Sequence, residues 1–438
     1  MERITKVLCC ILLFAHCQAI TPLEINKMSL LADTVAPGAQ HPGRAGLVNF
    51  FTKLNAGDSV KIAYLGGSIT EAGSGWRDQS FNRLKSQYPG AALTQVNAGI
   101  GGTGSDLGVF RLQKDVLAKA PDLVFVEFAV NDNGLPTTIL HKTMEGIVRQ
   151  IWTANANTDI CFVYTVTETT APALVAGGIT RAMQAMEDVA DHYGIPSVLM
   201  CDSVIQLYKA GSLVFKGLPA DHPGKIVFSK DGTHPYPETG HMLYAATLAQ
   251  ALDSFSLITT PPANRLIAAF DSDNWEDAKM LPASSLSYTG QWTTITSTDT
   301  VLPGHLRAKF PDLKRGDRED SAVASIQYNG TLAGLYDIVG PGTGQLDIYV
   351  DGTLLAQKKR FDKYSTYYRP QYFYFKDIPA GNHTVEFRVS AEQFDKMAIL
   401  QQGNNTVTDT AQYAAYSCYI GYLMLRGELL GGAARVAR

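Results

Sequence analysis

Cysteine is scarce in this 438-residue chain: six in all, three of them (Cys9, Cys10 and Cys17) near the start. No Cys-x-x-Cys pair and no His-Glu-x-x-His stretch occurs, so no metal site is expected. Of the remaining thiols, Cys161 and Cys201 lie in or beside apolar strands and read as small core residues, with a disulfide between them as the alternative. Cys418 completes an odd set. Long apolar runs are lacking too. Val7 to Ala15 is too short to span a bilayer, and no later segment approaches the ~20 apolar residues a membrane helix needs. A basic excess is also absent: 37 Lys and Arg stand against 41 Asp and Glu, a net charge of −4, which argues against a nucleic-acid partner. What is present is ordinary for a packed protein, 45% hydrophobic and 18% charged. The length exceeds what one core usually supports, so two domains are expected.

The start reads as a signal peptide. Arg3 and Lys6 are basic, Val7 to Ala15 is apolar, and Cys17-Gln18-Ala19 is a small-x-small cleavage site. Cleavage after Ala19 would give a secreted or periplasmic protein, with residues 20–43 as a lead-in.

From there the chain alternates strand and helix. Ile62 to Leu65 is a buried strand broken by Gly66-Gly67, and Ser68 follows at once, where its hydroxyl can stand over a sheet edge. Thr70 occupies the place of the second glycine of a G-x-S-x-G elbow. A helix over Asp78 to Tyr88 precedes a strand at Ala91 to Val96. That strand ends in a glycine-rich turn holding Gly99, Gly101, Gly102 and Gly104. Gly99, Gly101 and Gly104 match G-x-G-x-x-G, but they follow the second strand, and neither Glu127 nor Asp132 is placed as a ribose contact. A glycine N–H near a reacting oxygen is the more useful reading. Ser105 or Asp106 can cap the next helix, which runs to about Lys119. Leu123 to Val130 is the clearest buried strand, and Asn131 at its end either caps a turn or offers its amide as a donor. Further helices are expected near Ile139 to Ala154 and Thr180 to Tyr193, and strands at Ile160 to Thr165 and Pro196 to Met200. The βα repetition implies a parallel sheet covered on both faces. Last comes Lys230-Asp231-Gly232-Thr233-His234. A turn is the plain reading, but Asp and His three apart can hydrogen-bond, so that the carboxylate orients the imidazole. His222 and His241 read as loop and helix-surface residues.

These four strand-end motifs in this order resemble the SGNH hydrolase superfamily, the GDSL-type esterases and lipases. Gly66-Gly67-Ser68-Ile69-Thr70 is similar to its first block, Gly102 to its oxyanion glycine, Val130-Asn131-Asp132 to its third block and Asp231-Gly232-Thr233-His234 to its last. The resemblance covers roughly Val60 to Leu252. It implies a flavodoxin-like three-layer α/β/α sandwich with a parallel sheet. It also implies a Ser68-His234-Asp231 triad and an oxyanion hole from Ser68, Gly102 and Asn131, with no cofactor. One departure stands out: the family has Asp before the serine, and this chain has Gly67.

Beyond Leu252 the composition changes. Leu257 to Asn264 reads as a linker. Gln345 to Val350, Asp351-Gly352 and Thr353 to Gln357 form a hairpin signal. Gln371 to Phe375, His383 to Val389 and Tyr419 to Arg426 are further strands, giving an all-β jelly-roll-type sandwich. Trp275, Trp292, Tyr364, Tyr367 and Tyr368 belong either to its core or to a sugar-stacking face. Arg360 to Arg369 offers a loop over the cleft as an alternative. Asn329, Asn382 and Asn404 begin glycosylation sequons.

The expected organisation is a signal peptide (1–19), a lead-in (20–43), an SGNH hydrolase domain (44–256), a linker (257–264), a β-sandwich (265–430) and a tail (431–438). The expected activity is hydrolysis of short acyl esters, O-acetyl foremost, on a small molecule or polysaccharide. The rival readings are a lipase or thioesterase for longer chains, and a carbohydrate-binding protein with a vestigial site. No substrate-binding residue and no oligomeric state is singled out.

Overall fold

The computed structural model describes residues 44–260, 265–376 and 378–430. The signal peptide with its three cysteines, the lead-in, residues 261–264 of the linker and the tail lie outside the described residues.

Five parallel strands form the first sheet: β1 (Ser59–Gly66), β2 (Ala92–Gly99), β3 (Leu123–Glu127), β4 (Asp159–Val163) and β5 (Ser197–Val198), in the order β2-β1-β3-β4-β5. β3 and β4 are buried at every position, as expected of strands covered on both faces. The helices of this α/β region in chain order are α1 (Val48–Ala56), α2 (Ser68–Glu71), α3 (Trp76–Gln87), α4 (Ser105–Asp115), α5 (Thr137–Ala154), α6 (Ala171–Val175), α7 (Arg181–Tyr193), α8 (Asp202–Lys209) and α9 (Gly240–Phe255). α5 shows why they dock: Leu140, Met144, Ile147, Val148 and Ile151 fall on one helical stripe and are all buried. Thr180 caps α7 by accepting from the Met183 N–H at 3.2 Å, and Gly194 ends it at φ 67°.

This strand order reverses direction at β1, with β2 on one side and β3 on the other. Ligands bind at such a switch point, outside the carboxyl ends of the strands. Ser68 follows β1, the Gly101-Gly102 loop follows β2 and Asn131 follows β3. Topology alone therefore gathers three of the predicted blocks. A separate parallel pair, β6 (Leu213–Lys216) and β7 (Ile226–Ser229), brings in the fourth.

Two local expectations are corrected. Neither Ser105 nor Asp106 caps α4. Both are buried inside its first turn, Gly104 holds the cap position, and Asp132 from the neighbouring loop accepts the Ser105 N–H at 3.0 Å. His241 is not a helix-surface residue either. It is buried at the start of α9, and its Nδ1 accepts the Trp76 N–H at 3.2 Å. Cys161, Cys201 and Cys418 are buried free thiols.

The C-terminal region is an antiparallel β-sandwich. Its strands are β8 (Ala278–Pro282), β9 (Ser287–Thr289), β10 (Thr293–Thr294), β11 (Lys314–Gly316), β12 (Val323–Val339), β13 (Gln345–Val350), β14 (Thr353–Lys359), β15 (Arg369–Phe375), β16 (Gly381–Val389), β17 (Cys418–Ile420) and β18 (Tyr422–Leu429). The larger sheet runs β14-β13-β16-β12-β18-β8, with β15 and β9 also on β12, and the smaller runs β10-β11-β17. Asp351 and Gly352 have φ 51° and 78°, the positive pair that a tight hairpin turn requires. The sequon residues Asn329 and Asn382 face each other across β12 and β16 and share a 2.7 Å hydrogen bond.

The two regions share a core. Trp275 is 1% exposed and packs against Phe110 of α4 and Tyr374 of β15 at ring separations of 5.6 and 5.5 Å. Its N–H donates to the Lys142 carbonyl at 3.0 Å. Trp275 is thus an interdomain anchor, unavailable to a sugar. Trp292 stacks edge-on with Tyr288 at 5.1 Å, and the Tyr368 hydroxyl accepts the Gly342 N–H, so both serve the sandwich. Only Tyr364 and Tyr367 of the five aromatics are exposed. The Arg360 to Arg369 segment is tied to the sandwich, because Arg360 is buried and donates to Asp337 at 2.7 Å.

Candidate active site

Ser68 stands where β1 ends and α2 begins. Gly66 closes the strand, Gly67 is extended, and the turn is fixed by Glu71 N–H to the Gly67 carbonyl at 2.9 Å. The Ser68 Oγ lies 3.0 Å from His234 Nε2. The other imidazole nitrogen, Nδ1, is 2.7 Å from Asp231 Oδ2. Asp231 is itself tethered, since its Oδ1 accepts the backbone N–H groups of Thr233 and His234 at 2.9 and 2.8 Å. With both oxygens committed this way, Nδ1 carries the proton toward Asp231, and Nε2 is left to accept from the serine. Burial raises the Asp231 pKa, but hydrogen bonds from the His234 ring, the His234 N–H and the Thr233 N–H outweigh it and hold the carboxyl at about 2. The loop is braced from β7: Ser229 Oγ donates to the Phe215 carbonyl and accepts the Gly232 N–H, both at 2.7 Å.

On the other side of Ser68 lie candidate donors. Among the described residues, the N–H groups of Ser68 and Gly102 have no protein acceptor. Gly102 takes φ +70°, a left-handed turn that glycine adopts without strain. The preceding Gly101 N–H is held by Glu71 Oε2 at 2.7 Å. Asn131 is half-buried, and its amide lies directly over Gly67: a Cβ built there would meet Asn131 Oδ1 at 2.0 Å and Nδ2 at 3.2 Å. The departure from the family pattern thus has a physical reason, because the Asn131 amide in this position occupies the space a side chain before the serine would take.

Several residues at the site were not singled out as site residues by sequence reasoning. Glu127, the last residue of β3, accepts from Thr70 Oγ1 at 2.9 Å and Thr165 Oγ1 at 2.7 Å, and from the Gly67 backbone. It braces the serine turn from beneath, and Thr70 thereby gains a role in place of the elbow's second glycine. Arg111 is fully buried and donates to the Ala98 and Gly66 carbonyls at 2.7 and 3.2 Å, pinning the ends of β2 and β1 together. A lone carboxylate in the run Leu123 to Val130, and an arginine on the apolar face of α4, were the available signals. His241 is kept neutral by burial and then by the charge of His234, with its pKa down at about 4. Among the described residues, no cluster of three His, Cys, Asp or Glu side chains could hold a metal ion.

Two buried carboxyls set a pH dependence. Burial pushes Asp132 up to about 8 and Glu127 up to about 7. Above the ordinary carboxylate range, and up to those values, the folded protein binds more protons than the unfolded chain, so stability falls as pH rises. The melting temperature is expected to drop between pH 6.5 and pH 8. Asp132→Asn should flatten that slope, as read by thermal unfolding at both pH values. A slope unchanged in the variant would contradict the assignment.

The fold is that of the SGNH hydrolases, and residues 64–238 match the model of the GDSL-like Lipase/Acylhydrolase family, which supports a carboxylic ester hydrolase. No curated protein matches the chain by sequence. Two solved structures share the architecture over both domains. A two-domain esterase (CEX) active on acetylated mannans superposes with a TM-score of 0.69 at 21% identity, covering 88% of this chain and 97% of that one. The same kind of esterase co-crystallised with mannopentaose gives 0.67 at 20% identity, covering 89% and 98%.

Proposed function

We propose that this protein is an exported serine esterase that removes short acyl groups, acetyl foremost, from a carbohydrate, working through an acyl-enzyme. The observation that carries the reading is the unbroken relay from Ser68 Oγ through His234 to Asp231 at 3.0 and 2.7 Å. Ser68 attacks the ester carbonyl while His234 Nε2 takes its proton. The resulting imidazolium is stabilised by Asp231, which stays ionised at neutral pH. The N–H groups of Ser68 and Gly102 and the Asn131 amide donate to the oxyanion, each worth roughly 3–4 kcal/mol in such sites. Collapse expels the sugar hydroxyl, protonated by His234. Water then attacks the acyl-serine through the same histidine, releasing the carboxylate.

Three features support a polar, glycan-like substrate. The Asp231 and His234 side chains are 52% and 55% exposed, so the site is open rather than roofed by apolar residues. A cavity of about 510 Å³ is lined by Glu71, Ile100 and Arg111 of the α/β region and by Met280, Lys309 and Tyr336 of the sandwich region. The two-domain architecture is that of esterases active on acetylated mannans. Export rests on the basic start, the apolar run and the cleavage site before Ile20.

The test is a chain-length series. Hydrolysis of p-nitrophenyl acetate, butyrate and octanoate should fall with length, and acetate should be released from an acetylated polysaccharide. Preference for octanoate would contradict the short-acyl reading and favour a lipase.

A further inference from the structure

We infer that the β-sandwich is a working part of the ester-cleaving site: Tyr372 and Tyr374 hold the buried Asp106–Asp132 pair, and through Asp132 they position Asn131. The inference rests on the proposed role of Asn131 as an oxyanion donor.

Tyr372 and Tyr374 are two apart on β15 and so present their hydroxyls on the same face. Both reach across the domain boundary to one carboxylate, with Tyr372 OH 2.7 Å from Asp106 Oδ1 and Tyr374 OH 3.1 Å from Oδ2. The Leu107 N–H adds a third bond at 3.0 Å. Asp132 lies against the same spot. The position a Gly104 Cβ would occupy is 2.1 Å from Asp132 Oδ1 and 3.0 Å from Asp106 Oδ1. Two carboxylates this close and this buried cannot both ionise cheaply, so one keeps a proton and the other needs donors. Asp106 has the donors, and the sandwich supplies two of them. Asp132 is fixed in turn by the Ser105 N–H at 3.0 Å and by its own N–H to the Phe128 carbonyl at 2.8 Å.

Asn131 is the residue immediately before Asp132, in the same Asn131–Gly134 turn. A shift of the Asp132 carboxyl therefore carries the amide that lies over Gly67. Removing the tyrosine hydroxyls leaves Asp106 short of two donors in a buried interface. The pair must then repack or protonate, and the turn moves with it. Tyr372 and Tyr374 act here as positioning residues, since neither touches the reacting atoms.

The experiment is a cycle in the full chain with p-nitrophenyl acetate, a substrate too small to need a glycan-binding surface. The Tyr372→Phe/Tyr374→Phe variant should lose about tenfold to a hundredfold in kcat, the scale of a small misplacement, with KM changed less than twofold. In an Asn131→Ala background the same pair of changes should cost less than twofold. An equal loss in both backgrounds, an effect on KM alone, or no effect would overturn the inference. If the double variant does not fold, Tyr374→Phe alone, which removes the longer bond, is put through the same cycle with the same criteria. Wild-type hydrolysis lost in Ser68→Ala checks the underlying reading separately. A wild type silent toward every ester would overturn that reading and this inference with it.

Discussion

Ser68→Ala is expected to lower kcat for ester hydrolysis by roughly 10⁵-fold or more, as loss of a nucleophile does in comparable acyl-transfer enzymes. His234→Ala should cost about as much, because the serine is a poor nucleophile without a base at 3.0 Å. The double variant should be no worse than either single one, since the two residues act as a unit. Asp231→Ala should cost less, on the order of 10⁴-fold, because its task is to orient and stabilise an imidazole that remains in place. None of these changes should unfold the protein. Ser68 is half-buried and His234 is exposed, positions where a substitution usually shifts stability little, and Asp231→Ala, which removes an acceptor of three hydrogen bonds, should cost the most stability of the three. Steady-state kinetics with p-nitrophenyl acetate, alongside thermal unfolding, separate the two effects. Full activity in Ser68→Ala would remove the nucleophile.

The second large effect runs against the family pattern. Writing the usual aspartate into the first block, Gly67→Asp, should lower kcat by roughly 10²–10³-fold, the scale of losing one oxyanion donor. The cause is steric, because any side chain at 67 places a Cβ 2.0 Å from Asn131 Oδ1, and the amide must leave. Gly67→Ala should therefore do nearly the same damage without a charge. In an Asn131→Ala background both substitutions should cost little more, because the donor they displace is already gone. Wild-type kcat in the Gly67→Asp variant would show that Asn131 does not act from this position.

What the sequence revealed and what it hid follow one physical division. Strand ends were readable because the signals are local: an apolar run, a glycine break, a polar residue. Ser68, Asn131, Asp231 and His234 were singled out by such signals and Gly102 by the family resemblance, and the fold sets Ser68 after β1 and His234 after the separate β6–β7 pair 3.0 Å apart. The hairpin at Asp351-Gly352 was readable for the same reason. What escaped depends on partners far along the chain. Glu127 gains its meaning from Thr70 and Thr165, and Arg111 from the carbonyls of Gly66 and Ala98. Tyr372 meets Asp106 across 266 positions, a pairing that no local pattern announces. Trp275 could serve a core, the commoner role of a sandwich aromatic, or a sugar face, and packing against Phe110 decided for the interface. Ser105 and Asp106 had the right residue types for a cap, yet a buried carboxylate from the next loop took the Ser105 N–H. The helices α6 and α8 and the β6–β7 pair escaped because short elements carry little periodicity.

Ser68 as the nucleophile can be tested by treating the full chain with a fluorophosphonate, a reagent that stays bonded to an activated serine, and mapping the adduct by mass spectrometry. One adduct per chain is expected, on the peptide carrying Ser68, with esterase activity lost in step with labelling. An adduct on another residue, or undiminished hydrolysis in fully labelled protein, would contradict it.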